Sequence, residues 1–414
     1  MNTLSSARSA SGTNHVLQLR CDPMERVRIG FVGVGARGRL AVERMMNIEG
    51  AEVVALCDFI EDNIAASCAI VSHYGGARPV TMMGEEGWRA LCEMEQVDLV
   101  YISTDWLSHA RIALYAMQCG KHVAMEVPAA MSVEECWLLV DAAERYRRHC
   151  MMLENCCYDE FELALFNMVQ QGVLGDIVHA EASYIHDLRR RISSNDEGHR
   201  LWVNWQVDYM ASHIGNIYPT HGLGPVALAL GIHRGDRMKS LVSASSRMVG
   251  DEAFRGTMNS SIITTEQGRT ILLQHCIALP RPYSRSFMLS GTQGYAQKYP
   301  QPVMAFAENS DSLIEGAQCR AMLDKYRHPF VAEYEARGRE ICGRRWIDYV
   351  MDSRLIYCLR HGLPLDMDVY DAAEWSSLVE LTERSAAAGG APVDIPDFTR
   401  GAWSELNGVT FASE

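Results

Sequence analysis

The run RVRIGFVGVGARG, residues 26–38, constrains the fold of this chain more than any other stretch. An apolar, strand-like segment ends in glycine and passes straight into G-x-G-x-x-G, with Gly33, Gly35 and Gly38 at the motif positions. Arg37 to Asn47 then shows helical spacing. Glycines between a strand and a helix permit a tight turn and let the backbone approach a ligand. The helix N-terminus there offers unpaired N–H groups to a phosphate. The motif alone is weak, and its setting gives it weight.

The same alternation continues. AEVVALCD (51–58), VDLVYIST (97–104), KHVAMEV (121–127) and MMLEN (151–155) read as strands, with the helical SHARIALYAMQCG between two of them. Ser132, with Glu135 three residues on, opens a further helix as its N-cap. Strands alternating with helices of this length predict a Rossmann-type doubly wound parallel sheet over residues 26–155. Residues 1–25 lack the apolar core of a secretory signal and are expected to be a mobile lead-in.

After the helical DEFELALFNMVQQG the pattern changes. DIVHAEASYIH, KSLVSASSRMV, SSIITTEQGRTILLQH and SRSFMLSGTQG are strand-like without regular helices between them, and TEQGR with Gly268 reads as a hairpin turn. This predicts a C-terminal α+β domain over 156–414 with a mostly antiparallel open sheet. Helices are expected over about 341–361 and 369–388, followed by the tail GGAPVDIPDFTRGAW.

A formal charge of −14 disfavours nucleic acid and anionic membranes as partners, and no run is long enough to span a bilayer. The thirteen cysteines are odd in number and lie mostly in apolar segments, where a thiol behaves as a small hydrophobe. A reducing, cytoplasmic setting is expected. Cys156 and Cys157 are adjacent but no second pair stands at zinc spacing, so no metal site is expected.

Asp58 ends the second strand about 20 residues past Gly38, where a carboxylate accepts ribose hydroxyls and repels a 2′-phosphate. NAD is therefore expected over NADP, although Arg37 inside the loop is placed to meet a phosphate. Polar and aromatic residues then gather in segments that a parallel sheet delivers to one rim: Thr104 to His109, Glu126-Val127-Pro128, and Glu154 to Tyr158. The second half adds Tyr184 and His186, the segment Asn216 to Gly222, and Tyr283 in PRPYSR. Each has a plainer alternative. Glu154 suits a helix cap, Tyr184 and His186 a core pair on one strand face, His221 a brace for a turn, and Tyr283 a rim aromatic. Asp159 and Asp187 read as surface or structural carboxylates.

These segments resemble the Gfo/Idh/MocA oxidoreductase superfamily and, more closely, glycoside hydrolase family 109, the NAD-dependent α-N-acetylgalactosaminidases. The resemblance runs from about Arg26 to Trp403 and is carried by GVGARG, WLSH, MEVPAA, ENCCYD, EASYIHDLR, GNIYPTHGLGP, GRTILLQH, PRPYSR and the tail. In the wider superfamily the segment MEVP reads Glu-Lys-Pro, and the lysine helps move the substrate hydroxyl proton. Val127 stands there and cannot. Family 109 resolves this omission. Its chemistry implies transient oxidation at carbon 3 of the sugar, elimination across carbons 1 and 2, water addition and re-reduction, with no net redox. The resemblance implies catalytic roles for Tyr184, His186, Glu154, Tyr218, His221 and Tyr283. Tyr184 would be the base at carbon 2, tuned by His186 and Glu154. His221 and Tyr218 would serve the carbon-3 hydroxyl, and Tyr283 the sugar's rim. It implies NAD contacts from Gly33, Gly35, Ala36, Arg37, Gly38, Asp58, Trp106, His109, Glu126, Val127 and Asn155. Gln206 stands where the family has an arginine on the sugar, which puts substrate preference in doubt. A homo-oligomer acting on a small-molecule or glycan substrate is expected. The alternatives are a conventional NAD-dependent sugar or cyclitol dehydrogenase, which Val127 argues against, and a non-catalytic NAD-binding sensor.

Overall fold

The computed structural model describes residues 15–189, 209, 212–247 and 256–413. The N-terminal alternation forms six parallel strands: β1 (Val27–Val32), β2 (Ala51–Asp58), β3 (Val80–Met83), β4 (Leu99–Ile102), β5 (His122–Met125) and β6 (Cys150–Met152). Their order is β3-β2-β1-β4-β5-β6, so the chain leaves β1 on one side and returns on the other for β4. The crevice at the carboxyl ends of β1 and β4 is the switch point where such sheets bind ligands. Every residue of β4 and β5 is buried, as expected for parallel strands covered on both faces. The covering helices are α1 (Ala36–Met45), α2 (Glu61–His73), α3 (Gly87–Glu93), α4 (Trp106–Gln118) and α5 (Val133–Tyr146). Ser132 caps α5, its hydroxyl accepting from the Glu135 N–H at 3.2 Å.

The C-terminal half builds a nine-stranded mixed sheet from β7 (Ile177–Ile185), β8 (Met238–Ser246), β9 (Met258–Thr265), β10 (Thr270–Cys276), β11 (Ser284–Gly291), β12 (Gly294–Gln297), β13 (Val303–Phe306), β14 (Ile314–Glu315) and β15 (Val393–Asp394). The order is β14-β13-β12-β11-β7-β10-β9-β8-β15, antiparallel except for the β7–β10 pair. Gly268 turns the β9–β10 hairpin at φ +80°. Helices α6 (Glu160–Gln170), α7 (Thr220–Leu230), α8 (Gly316–Lys325), α9 (Pro329–Cys342), α10 (Trp346–His361) and α11 (Val369–Ala387) complete the chain.

Two expectations change. The single helix over 341–361 is instead α9 and α10, separated where Gly343 takes φ +56° and stops α9. Residues 15–25 pack onto the fold, although the lead-in was expected to be mobile. Val16, Leu17 and Leu19 are buried, and Val16 N–H donates to the Tyr370 hydroxyl at 2.9 Å. The rest of the lead-in lies outside the described residues, as does Gln206.

Candidate active site

The turn after β1 is fixed by close contacts. A Cβ on Gly38 would stand 2.0 Å from the Gly33 carbonyl oxygen, and one on Gly33 2.7 Å from that of Ser103. The Ser103 hydroxyl donates to the same Gly33 carbonyl at 2.6 Å. A Cβ on Gly35 would meet only the Asn63 side chain, at 3.7 Å, so this face of the turn is open. Helix α1 starts here without a side-chain cap and without acidic residues in its first turn. Its N-terminal N–H groups and positive dipole end are left for an anion. Asp58 braces the turn from β2, accepting from Val34 N–H at 2.8 Å and Ile60 N–H at 2.9 Å. These features form a cradle suited to a dinucleotide pyrophosphate.

Arg37 does not face that cradle as a spare cation. Its guanidinium donates to Glu126 at 2.6 Å and to Asp348 at 2.8 Å. Asp348, on α10, also accepts from the Asn155 amide, and Arg44 binds Asp352 one turn further along at 2.6 Å. Burial penalises the Asp348 carboxylate, but Arg37 and Arg44 outweigh it and hold its pKa below the ordinary value. This network joins the glycine turn, the end of β5 and the segment after β6. Asp348, Asp352 and Arg44 gave no signal in the sequence, because two of them lie in a helix about 300 residues downstream of the motif they serve.

His109 is fully enclosed, with Nδ1 2.8 Å from the Pro128 carbonyl and Nε2 3.2 Å from that of Thr104. It braces the two rim segments from behind. Val127, next in sequence to Pro128, is buried, and Trp106 lies against Tyr218 with ring centroids 5.5 Å apart.

The remaining candidates converge on the β7 side of the crevice. Glu154 follows β6 and has no exposed surface. Both its oxygens meet His221 Nδ1, at 2.7 and 2.9 Å, and Cys156 N–H also donates to it at 3.1 Å. His221 Nε2 lies 3.3 Å from the Tyr218 hydroxyl. The Tyr184 and His221 rings are 5.4 Å apart, and the Tyr184 hydroxyl is 2.9 Å from His186 Nδ1. Tyr283 closes the group, its ring 5.1 Å from His186 and 6.3 Å from Tyr184. His275, opposite Tyr184 on β10, and Tyr299, 6.1 Å from Tyr283, join the same wall and were not foreseen.

Helix α7 places His221; no helix is expected here from the sequence, because THGLGP contains residues that ordinarily end helices. The glycines serve packing. A Cβ on Gly222 would stand 2.5 Å from the Ser183 backbone on β7, and one on Gly224 2.9 Å from Glu154 Cγ. Only glycine lets α7 press its first turn onto both neighbours.

Burial disfavours the His221 imidazolium, yet Cys156 and Glu154 raise its pKa to about 10. Burial also raises the Cys156 thiol above its ordinary value. Of the two carboxylates read as surface or structural, Asp159 is structural: it is joined to Lys298 at 2.7 Å and Arg285 at 3.1 Å, beside the buried Glu162. Asp187 is at the surface, paired with Arg189 at 2.7 Å. Among the described residues no helix is long and apolar enough to cross a membrane.

The fold and the crevice define a nucleotide-binding protein with a Rossmann-type first half and an aromatic and imidazole-rich second half. The profile of the oxidoreductase family with an NAD-binding Rossmann fold matches residues 27–154. That of the glycosyl hydrolase 109 C-terminal domain matches residues 158–405. Glycosyl hydrolase family 109 protein 2 of Phocaeicola vulgatus is 51% identical over 408 residues, covering 94% of this chain and 99% of that protein. An alpha-N-acetylgalactosaminidase of Bacteroides fragilis is 48% identical over 412 residues, covering 95% and 96%. The chain belongs to glycosyl hydrolase family 109, and its Rossmann domain takes NAD. Among solved structures it is similar in fold to levoglucosan dehydrogenase in complex with NADH and L-sorbose. That match has a TM-score of 0.70 at 17% identity, covering 90% of this chain and 100% of that one. Myo-inositol dehydrogenase from Lactobacillus casei gives 0.63 at 18%, covering 90% and 99%.

Proposed function

We propose that this chain is an NAD-dependent glycosidase that removes terminal α-N-acetylgalactosamine, the activity named for the Bacteroides fragilis relative. One observation carries the reading: the crevice gathers imidazoles and phenols rather than two opposed carboxylates. Among the described residues, the carboxylates around the cluster, Glu154, Asp159 and Glu162, are each held by a cation. A pair flanking the glycosidic bond, which ordinary glycosidases require, has no counterpart in that group.

When bound, NAD⁺ supplies a two-electron acceptor for carbon 3 of the sugar and restores it before release, so the net reaction is hydrolysis. Once its Nε2 proton is released, His221 accepts the proton of the carbon-3 hydroxyl beside Tyr218, while its Nδ1–H donates to Glu154, whose charge stabilises the imidazolium that re-forms. A carbonyl at carbon 3 acidifies the hydrogen on carbon 2. Tyr184 takes that proton and His186, 2.9 Å from its hydroxyl, draws the phenol's own proton away. The aglycone leaves carbon 1 as its alcohol, taking a proton from water. The hydroxyl of that water adds to carbon 1 as Tyr184 returns a proton to carbon 2 and His186 restores the phenol. His221 gives back the carbon-3 hydroxyl proton on re-reduction. Tyr283 walls the sugar opposite His186. With Arg37 held by Glu126 and Asp348, Asp58 is left to favour NAD over NADP.

Turnover in deuterated water tests this reading. Product should carry deuterium at carbon 2 and none at carbon 3. Tyr184→Phe, which removes one oxygen, should lower kcat by about 10²–10⁴-fold while the protein still binds NAD. Hydrolysis without deuterium at carbon 2 overturns the elimination route. Accumulation of reduced dinucleotide with a free sugar would instead mark a conventional dehydrogenase.

A further inference from the structure

Around His221, three ligand atoms of different kinds converge. The Glu154 carboxylate, the Cys156 thiol and an imidazole nitrogen of His221 lie within 4.8 Å of one another. We propose that they form a binding site for a zinc-class divalent cation, and that the bound ion stops turnover by capturing Nδ1 of His221. The site stands on this geometry alone; the loss of turnover rests on the role given to His221 above.

A mixed nitrogen, oxygen and sulfur donor set suits zinc or cobalt(II), whereas magnesium and calcium take oxygen. The carboxylate and thiol come from the first turn of the short helix Asn155–Tyr158, where Cys156 N–H already donates to Glu154. The imidazole comes from α7, held close by Gly222 and Gly224. The ligands thus sit on two packed elements and need only spread slightly. His221 Nδ1 and the Glu154 oxygen are 2.7 Å apart, whereas tetrahedral ligands on bonds of about 2 Å stand about 3.3 Å apart. Glu154 is fully enclosed and the His221 side chain keeps 17% of its surface exposed; the fourth ligand of a tetrahedral ion would be water. Arg285 is the cation nearest to opposing the ion, and Asp159 and Glu162 already neutralise it.

The charges balance without any change of oxidation state. The ion's two charges meet one carboxylate and one thiolate. The proton between Glu154 and His221 Nδ1 and the thiol proton leave to water. The imidazole keeps its remaining hydrogen on Nε2. Turnover needs the other tautomer, with Nδ1–H toward Glu154 and Nε2 open to the sugar hydroxyl. Metal on Nδ1 makes Nε2 a donor, so it cannot accept the substrate proton. Inhibition should therefore appear in kcat rather than KM.

The test uses the NAD-bound protein titrated with cobalt(II), read by absorption, and with zinc, read by kinetics. Cys21, Cys68, Cys119 and Cys342 are partly exposed and take up cobalt adventitiously, so the signal is the difference between wild type and Cys156→Ser. The expected result is a thiolate-to-cobalt band and a tetrahedral visible band in wild type that both vanish from Cys156→Ser and from Cys156→Ala. Zinc should lower wild-type kcat, reversibly with a chelator. Zinc sensitivity, measured against each protein's own chelator-treated rate, should weaken at least about 10-fold in both variants. Identical cobalt spectra in wild type and variants overturn the site. A Cys156-dependent band without loss of kcat overturns the inhibitory role, while still placing the metal there.

Discussion

Glu154 accepts three hydrogen bonds, two of them from a single imidazole, and has no contact with solvent. A buried carboxylate so placed is stable because His221 carries the opposite charge beside it. Glu154→Gln keeps the shape and removes the charge. The imidazolium then has no counter-ion, and kcat should fall by about 10²–10⁴-fold with bound NAD retained. Assay with an aryl α-N-acetylgalactosaminide, with dinucleotide content measured in parallel, checks this. An unchanged kcat would reassign Glu154 to capping the short helix after it. At this scale the candidate set was largely legible: Tyr184, near the end of β7, and His186, just past it, share a hydrogen bond. The partners were not legible. Nothing local ties Asp348 to Arg37, and His275 reaches Tyr184 only through the parallel β7–β10 register.

Elements decide how well those residues meet. The parallel sheet was legible because buried parallel strands are continuous apolar runs, while β3, mostly exposed at the edge, gave no such run. Helix α7 was missed for the opposite reason. Its glycines and Pro225 score as a turn, yet tertiary packing against β7 and Glu154 requires them. Gly222→Ala should therefore act through the element. Its methyl group would meet the Ser183 backbone at 2.5 Å, and backbone cannot yield as a flexible side chain does. The expected outcome is a loss of about 1–3 kcal/mol of stability. Activity should fall further than that loss explains, because α7 must lift His221 away from Glu154. Denaturant unfolding alongside kcat at a temperature where the variant is fully folded separates the two effects. Full activity in the folded variant would show that α7 does not set the geometry of the pair.

For the molecule as a whole, histidines away from the crevice set the response to acid. His122 Nδ1 accepts from the His149 N–H at 3.0 Å, and His328 Nδ1 accepts from Phe330 N–H to cap α9 at 3.3 Å. A ring nitrogen that accepts must be unprotonated, so both imidazoles are neutral in the folded state. Burial drives the pKa of His122 and His328 down to about 4, and burial with His122 and Arg148 takes His149 to about 3. The unfolded chain binds protons at these groups from about pH 6.5, whereas the folded chain does not until pH 4 or below. Stability must therefore fall as the pH drops through that window, by on the order of 2–3 kcal/mol per imidazole. His233 works in the other direction. Burial opposes its charge, but Glu374 and Asp371 raise its pKa to about 10, so its contribution is complete below pH 6.5 and is lost as the pH rises toward 10. Maximum stability should lie near neutrality. His328→Asn separates titration from packing, since asparagine caps a helix without titrating. The variant should be less stable than wild type at pH 7, because the ring's contacts with Phe330 and Phe411 are gone. It should lose less on going from pH 6.5 to pH 4.5. Equal slopes of unfolding free energy against pH in the two proteins would show that His328 is already charged in the native state and that α9 is capped in another way.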